Sequence, residues 1–179
     1  MNNFDWKDPF LFFEQLGEEE KSVQQSASKF ASNELSPLLQ QAIKNDGIGR
    51  EGYQLIGQAG LFGVNLPQEF GGSDASHISY GLIAREIERI DSGFRSILSV
   101  QSSLVMHPIF KFGSAFQKQT YLKRLGTGEL IGCFALTEPE AGSDPAGMKT
   151  TAVKTSNGYR LNGSKTWISN ASIADIFII

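Results

Sequence analysis

Cys133 is the single cysteine among 179 residues. One thiol excludes an internal disulfide and a cysteine-rich metal site. Its place in the apolar run "IGCFAL" reads as a small buried hydrophobe. Histidine is scarce too, with only His77 and His107 present. Neither has zinc-ligand spacing, so no metal is expected. His107, beside Pro108 at a helix end, reads as a packing or capping residue, and His77 as exposed. Positive charge is not in excess: 16 Lys and Arg face 19 acids, for a net charge of -3. Without a basic stripe there is no electrostatic case for a nucleic-acid partner. No apolar run approaches membrane-spanning length, so no membrane partner is expected. The opening "MNNFDWKDPF" has neither a basic-then-apolar order nor an Arg-rich amphipathic character, which predicts a cytoplasmic chain.

The composition, 40% hydrophobic and 20% charged, suits a globular chain that buries a core without staples. The first two thirds read as helical. In "EEEKSVQQSASKFASNELSPLL" the residues Val23, Ala27, Phe30, Ala31, Leu35 and Leu38 follow helical spacing behind an acidic first turn. Pro37 should kink or end this helix near Ser36. A shorter helix around "REGYQLIGQAGL" precedes a Gly/Pro loop, "GVNLPQEFGGSDAS". The segment "HISYGLIAREIERIDSG" places Ile78, Leu82, Ile83, Ile87 and Ile90 on one face and the Arg and Glu residues on the other. Gly81 on the apolar side would admit a neighbouring helix. "FRSILSVQSSLVM" continues helically after a break at Ser92-Gly93. Ser114 and Gln117 form a capping-box pattern that starts a helix, and Gly126 should stop it.

From Leu130 the texture changes to short β-rich runs, "LIGCFALTE", "MKTTAVKTS", "GYRLNGSKTWIS" and "ADIFII", separated by Asn, Gly and Ser turns. The expected fold is α+β and multidomain. An all-α helical domain spans residues 1–128, and residues 129–179 begin a β-barrel or sandwich domain. Four short strands do not easily close a barrel, so the second domain is expected to be truncated and the chain to be an N-terminal piece. Between the first two strands lies "TEPEAGSDPAG", a poor helix and a poor strand. Its Gly142-Ser143-Asp144 turn could point backbone N–H groups inward, as anion-binding loops do, and Thr137 and Ser143 add short hydroxyls. A plain connection is the alternative reading.

"ALTEPEAGSDPAG" resembles the flavin signature of the acyl-CoA dehydrogenase family. "NGSKTWISN" resembles that family's second flavin-contacting strand, and "GLFGVNLPQEFGG" its loop between early helices. These segments occur in family order and spacing. The resemblance implies the acyl-CoA dehydrogenase fold, here incomplete, with FAD as cofactor and a homotetramer at full length. It implies that Phe134, Ala135, Leu136, Thr137, Gly142 and Ser143 form the first flavin segment. Trp167, Ile168 and Ser169 form the second, with the Trp by the ring and the Ser near its reactive nitrogen. Read without the resemblance, Trp167 would be a core aromatic. Ser143 is also implied near the thioester portion of the substrate.

"AREIERIDSGFRSILSVQSSLVMHPI" and the early "FDWKDP" look like the glutaryl-CoA dehydrogenase branch. That likeness implies that Arg95, with Ser96 assisting, binds the γ-carboxylate of glutaryl-CoA. A planar guanidinium offers a two-pronged grip on a carboxylate that would be costly to bury alone. The plain reading is an exposed Arg95 paired with Asp91. The implied reaction is α,β-oxidation with decarboxylation to crotonyl-CoA, electrons leaving through an electron-transfer flavoprotein. The family's catalytic Glu matches no segment here. No catalytic residue is therefore expected among Glu14, Glu34, Glu86, Glu88, Glu138 and Glu140, and Glu138 reads as a loop brace. Two other readings stay open: a dehydrogenase for another, short-chain acyl-CoA, and a truncated non-enzymatic binding protein.

Overall fold

The computed structural model describes residue 6, residues 8–45 and residues 47–179. The "FDWKDP" likeness and the reading of the N-terminal stretch fall partly outside these residues. A four-residue helix α1 (Phe12–Gln15) leads into α2 (Glu18–Phe30). The amide of Gly17 donates to Glu20 Oε2 at 3.0 Å, capping α2. Pro37 does not end the helical path. A π turn at Ala31–Leu35 and a 3-10 turn at Ser36–Leu38 carry the chain into α3 (Leu39–Lys44). Proline lacks a donor and its ring crowds the carbonyl four residues back. Widening and then tightening the turn accommodates both faults without leaving the helix.

Helix α4 (Gly49–Gln58) and a loop with a 3-10 turn at Gln68–Phe70 precede α5 (His77–Glu88). Ser76 caps α5 by accepting from the Ser79 amide at 3.0 Å. Leu82, Ile83 and Ile87 are buried as the spacing predicts, whereas Ile78 is 54% exposed. The buried arc also contains Ser79 and Glu86, and Ile78 lies about a third of a turn from its centre. Gly81 faces open space, with nothing within 4 Å of an added Cβ. It is not a helix-packing glycine. Glu86, expected on the outer face, is instead buried against α2. There it accepts from Gln24 Nε2 at 2.9 Å and from Arg85 Nη2 at 3.0 Å. Burial alone would raise its pKa. Gln24, Arg85 and Arg89 more than offset that and hold it below the ordinary range.

Helix α6 (Ser92–Ser99) starts at the Asp91 cap and runs into a long π segment, Val100–Met106, then α7 (His107–Phe112). Helix α8 (Ala115–Gly126) has the expected capping box. Ser114 N donates to Gln117 Oε1 at 2.8 Å, and Gln117 N to Ser114 Oγ at 3.2 Å. Helix α8 ends at Gly126 as expected, and the left-handed turn that follows is made at Gly128, with φ 72°. A Cβ at Gly128 would meet Tyr53 O at 2.2 Å.

Strand β1 (Gly132–Phe134) pairs in parallel with β4 (Ile176–Ile178), with Cys133 opposite Phe177. Strands β2 (Thr151–Thr155) and β3 (Gly158–Asn162) form a separate antiparallel hairpin, exposed along both strands. The chain is thus a helical unit followed by few strands. The core joins Leu35, Ile56, Leu98, Met106 and Leu122 of the helical unit to Ile131, just before β1. Cys133 is fully buried, as its apolar context predicts. "GYRLNGSKTWIS" is not one strand. It breaks at Gly163, with φ 156°, where a Cβ would meet Thr150 Oγ1 at 2.2 Å. Residues 164–170 are irregular. Among the described residues no helix is long and apolar enough to cross a membrane, and no group of three or more acidic, His or Cys side chains could hold a metal.

Candidate functional site

The loop after β1 folds back on itself. Glu138 and Ala141 exchange backbone hydrogen bonds of 3.1 Å in both directions. A 3-10 turn then follows at Pro145–Gly147, where Asp144 Oδ1 accepts from the Ala146 amide. Residues 142–149 are exposed. Glu138 ties the loop down. The residue is 6% exposed, and its carboxylate accepts from Lys149 N at 2.7 Å, Thr150 N at 3.0 Å and Lys165 Nζ at 2.8 Å. The Lys165 ammonium, foremost among these donors, holds the Glu138 pKa at about 2.

Lys165 also donates to Leu136 O at 2.8 Å, and the Thr166 amide donates to Thr137 O at 3.0 Å. These bonds set residues 134–138 beside residues 165–169, so the two segments that resemble flavin contacts are neighbours. Ala135 is buried and Leu136 is 38% exposed. Phe134, Thr137 and Ile168 are half-buried, and Gly142, Ser143 and Ser169 are exposed. Trp167 is 90% exposed, which overturns the core-aromatic reading. Its φ is 58° and that of Asn170 is 70°. A left-handed conformation costs a bulky residue roughly 1–3 kcal/mol and persists only where the surroundings impose it. Here the indole is held outward, beside the exposed Leu136 side chain's segment. Apolar surface flanked by hydroxyls and turn amides suits a planar ring with polar edges.

Behind these segments stands a set of polar contacts from the helical unit that spacing does not reveal. Tyr53, on α4, donates from its hydroxyl to Asn170 Oδ1 at 2.7 Å. Burial pushes the Tyr53 phenol pKa up, so it stays a neutral donor. Arg50 grips Asp175 with two bonds, of 2.9 and 2.6 Å, and Asp175 Oδ2 accepts from Ile131 N at 2.9 Å. The hydrogen bonds from Arg50, against the opposing effect of burial, lower the Asp175 carboxyl pKa. "NGSKTWISN" contains Lys165 and Asn170, but only their tertiary partners identify their roles.

Arg95 and Ser96 lie on α6, which precedes the π segment that packs against β1. The Arg95 guanidinium is half-exposed and pairs with Glu88, Nε to Oε2, at 2.7 Å, while its Nη1 donates to Ser99 Oγ at 3.2 Å. The expected Asp91 partner is occupied elsewhere, accepting from Gly93 N at 2.7 Å as the α6 cap. His77 and His107 are both exposed and line one ≈ 200 Å³ cleft with Tyr80, Ser102 and Ser103. His107 therefore does not pack in the core.

Residues 17–129 match the acyl-CoA dehydrogenase N-terminal domain, and residues 133–179 match the acyl-CoA dehydrogenase middle domain. An acyl-CoA dehydrogenase of Bacillus subtilis (strain 168) is 38% identical over 90% of this chain and 42% of its own length. The mitochondrial isovaleryl-CoA dehydrogenase of Pongo abelii is 34% identical over 92% of this chain and 39% of its own. A crystal structure of a glutaryl-CoA dehydrogenase from Mycobacterium smegmatis in complex with FADH2 superimposes with a TM-score of 0.89 at 38% identity, over 94% of this chain and 43% of that one. The chain spans less than half the length of each of these relatives. With both domain matches following one another along a shared fold, the chain belongs to the acyl-CoA dehydrogenase family.

Proposed function

We propose that this chain is part of an FAD-dependent acyl-CoA dehydrogenase, with the helical unit ending near residue 128 and the β unit beginning at 129. The flavin ring would rest on Phe134, Ala135, Leu136, Thr137, Gly142 and Ser143, and on Trp167, Ile168 and Ser169. The observation that carries this reading is Trp167, 90% exposed on a left-handed backbone beside the Leu136–Glu138 segment. An apolar ring presented to solvent at the cost of backbone strain needs a cover. Bound there, FAD would supply the acceptor for a hydride leaving the β-carbon of an acyl thioester. Thr137 and Ser169 offer hydroxyls to the ring's polar edges, and Leu136 and Trp167 offer apolar surface. Ser143 lies in the exposed turn, where the thioester portion of a substrate could reach it.

Among the described residues, neither buried carboxylate, Glu86 or Glu138, suits the role of base for the α-proton. Glu138, with its pKa near 2, would be a feeble acceptor at neutral pH. Glu86 is also held in its charged form by its partners.

The substrate we infer is glutaryl-CoA, oxidised and decarboxylated to crotonyl-CoA, with electrons passing to an electron-transfer flavoprotein and the full-length protein a homotetramer. Arg95 and Ser96 would receive the γ-carboxylate. Two Arg95 nitrogens are engaged, Nε by Glu88 and Nη1 by Ser99. Nη2 carries no hydrogen bond among the described residues and is the donor a carboxylate could take. The similarity to the Mycobacterium smegmatis enzyme supports this reading.

The Glu88 pair favours a second reading, a neutral acyl-CoA. An anion facing an ion pair gains less than one facing a lone cation. Steady-state kinetics of Arg95→Gln in the complete enzyme separate the two. The carboxylate clamp predicts a loss of about 100-fold in kcat/KM for glutaryl-CoA and little change for butyryl-CoA. Equal changes for both substrates would leave only the neutral reading.

A further inference from the structure

We propose that Gln101 and Tyr53 are positioning residues for the flavin, acting from the helical unit through the backbone of Gly132. This deepens the FAD reading above and rests on it.

Gln101 lies in the π segment Val100–Met106 and is fully buried. Its Nε2 donates to Leu125 O at 2.9 Å and to Leu130 O at 2.7 Å, and its Oε1 accepts from Gly132 N at 2.9 Å. One amide therefore joins the π segment, the end of α8 and the start of β1. From the other side, Asn170 Nδ2 donates to Gly132 O at 3.0 Å, and Asn170 Oδ1 accepts from the Tyr53 hydroxyl at 2.7 Å. Both backbone polar groups of Gly132, its N–H and its C=O, are thus held by side chains. Gly132 stands two residues before Phe134, and Asn170 directly follows Ser169. The strap reaches the base of both flavin segments.

Packing alone does not explain these choices. Apolar residues would fill the Gln101 and Tyr53 positions without the desolvation cost of a buried amide and phenol. What the hydrogen bonds add is register. Gly132 is already pressed against the π segment, since a Cβ there would meet Val105 Cγ1 at 2.4 Å. Strand side chains alternate, so a one-residue slip of β1 (Gly132–Phe134) would move the buried Cys133 to the opposite face and displace the segment that continues from Phe134. Three bonds from Gln101 and a clamped Gly132 carbonyl admit only one register.

The test uses the complete gene product as wild type, Tyr53→Phe and Gln101→Leu. FAD is titrated into each FAD-free protein by flavin fluorescence, visible circular dichroism is recorded on the loaded forms, and Tm on the unloaded ones. Each variant should weaken FAD binding roughly tenfold, the effect of one well-made hydrogen bond, and change the flavin circular dichroism. Tyr53→Phe keeps its ring in the core and decides the matter if Gln101→Leu does not fold. FAD affinity and circular dichroism equal to wild type, even with a lowered Tm, would overturn the proposal and leave the flavin reading standing. A wild type that takes up no FAD would overturn both.

Discussion

Glu138 shows how much a single side chain can organise here. Its carboxylate binds two amides of the segment entering β2 and the ammonium that clamps Leu136 O. Its pKa falls from 4.5 to about 2 on folding. A group bound more tightly to its charged form in the native state stabilises the fold above the unfolded pKa. That contribution is complete above about pH 4.5 and is lost as pH falls toward 2. Thermal denaturation from neutral pH down to about 2 should show an acid-side fall in Tm that Glu138→Gln makes shallower. Parallel curves for the two proteins would contradict this. The bracing role of Glu138 was legible because the residue sits inside a recognisable loop motif. The partner of Arg95 was not. Four-residue spacing points to Asp91, but Asp91 caps α6, and the helix break brings Glu88 to the guanidinium instead. Buried polar residues such as Gln101 and Glu86 carry no outward mark in a periodic pattern, because their partners come from distant stretches.

At the scale of elements, local chemistry was readable and tertiary adjustment was not. The Ser114 and Gln117 capping box depends on four consecutive residues, and it forms as their identities dictate. The π segments at Ala31–Leu35 and Val100–Met106 depend on what packs around them, and helical spacing gives no warning of either. The end of α8 illustrates the same division. A glycine stop was legible, but two glycines were available. Gly126 ends α8, whereas Gly128 takes the left-handed turn and passes under the Tyr53 carbonyl. Gly128→Ala should therefore cost about 1–3 kcal/mol from conformation alone, with the clash at Tyr53 added. Thermal melts should show a Tm lower by roughly 3–10 °C. Gly126→Ala, at an α-helical position, should lose far less. Equal effects at the two positions would contradict the assignment of the turn. In the β region the strand-rich texture was legible, yet "GYRLNGSKTWIS" divides at Gly163, where contact with Thr150 forbids a side chain.

Over the whole molecule, the helical unit buries a continuous core while the β region covers little. The β2–β3 hairpin is exposed on both faces, with Val153, Tyr159 and Leu161 each more than half exposed. An isolated hairpin of this kind is marginal at best. Phe112 and Phe116 are 82% and 70% exposed, and Phe177 and Ile179 at β4 are 48% and 59% exposed. Among the described residues β4 has a strand partner on one side only. Apolar patches and open edges promote association, so sedimentation velocity on residues 1–179 should show concentration-dependent oligomers. A monodisperse monomer at high concentration would count against it. The family was legible because three motifs kept their order and spacing, whereas substrate choice turns on the surroundings of one guanidinium. The most direct test of the flavin assignment is the visible absorbance of the purified complete gene product titrated anaerobically with glutaryl-CoA. A yellow protein whose flavin band bleaches on addition is expected. A colourless protein that takes up no added FAD would contradict it.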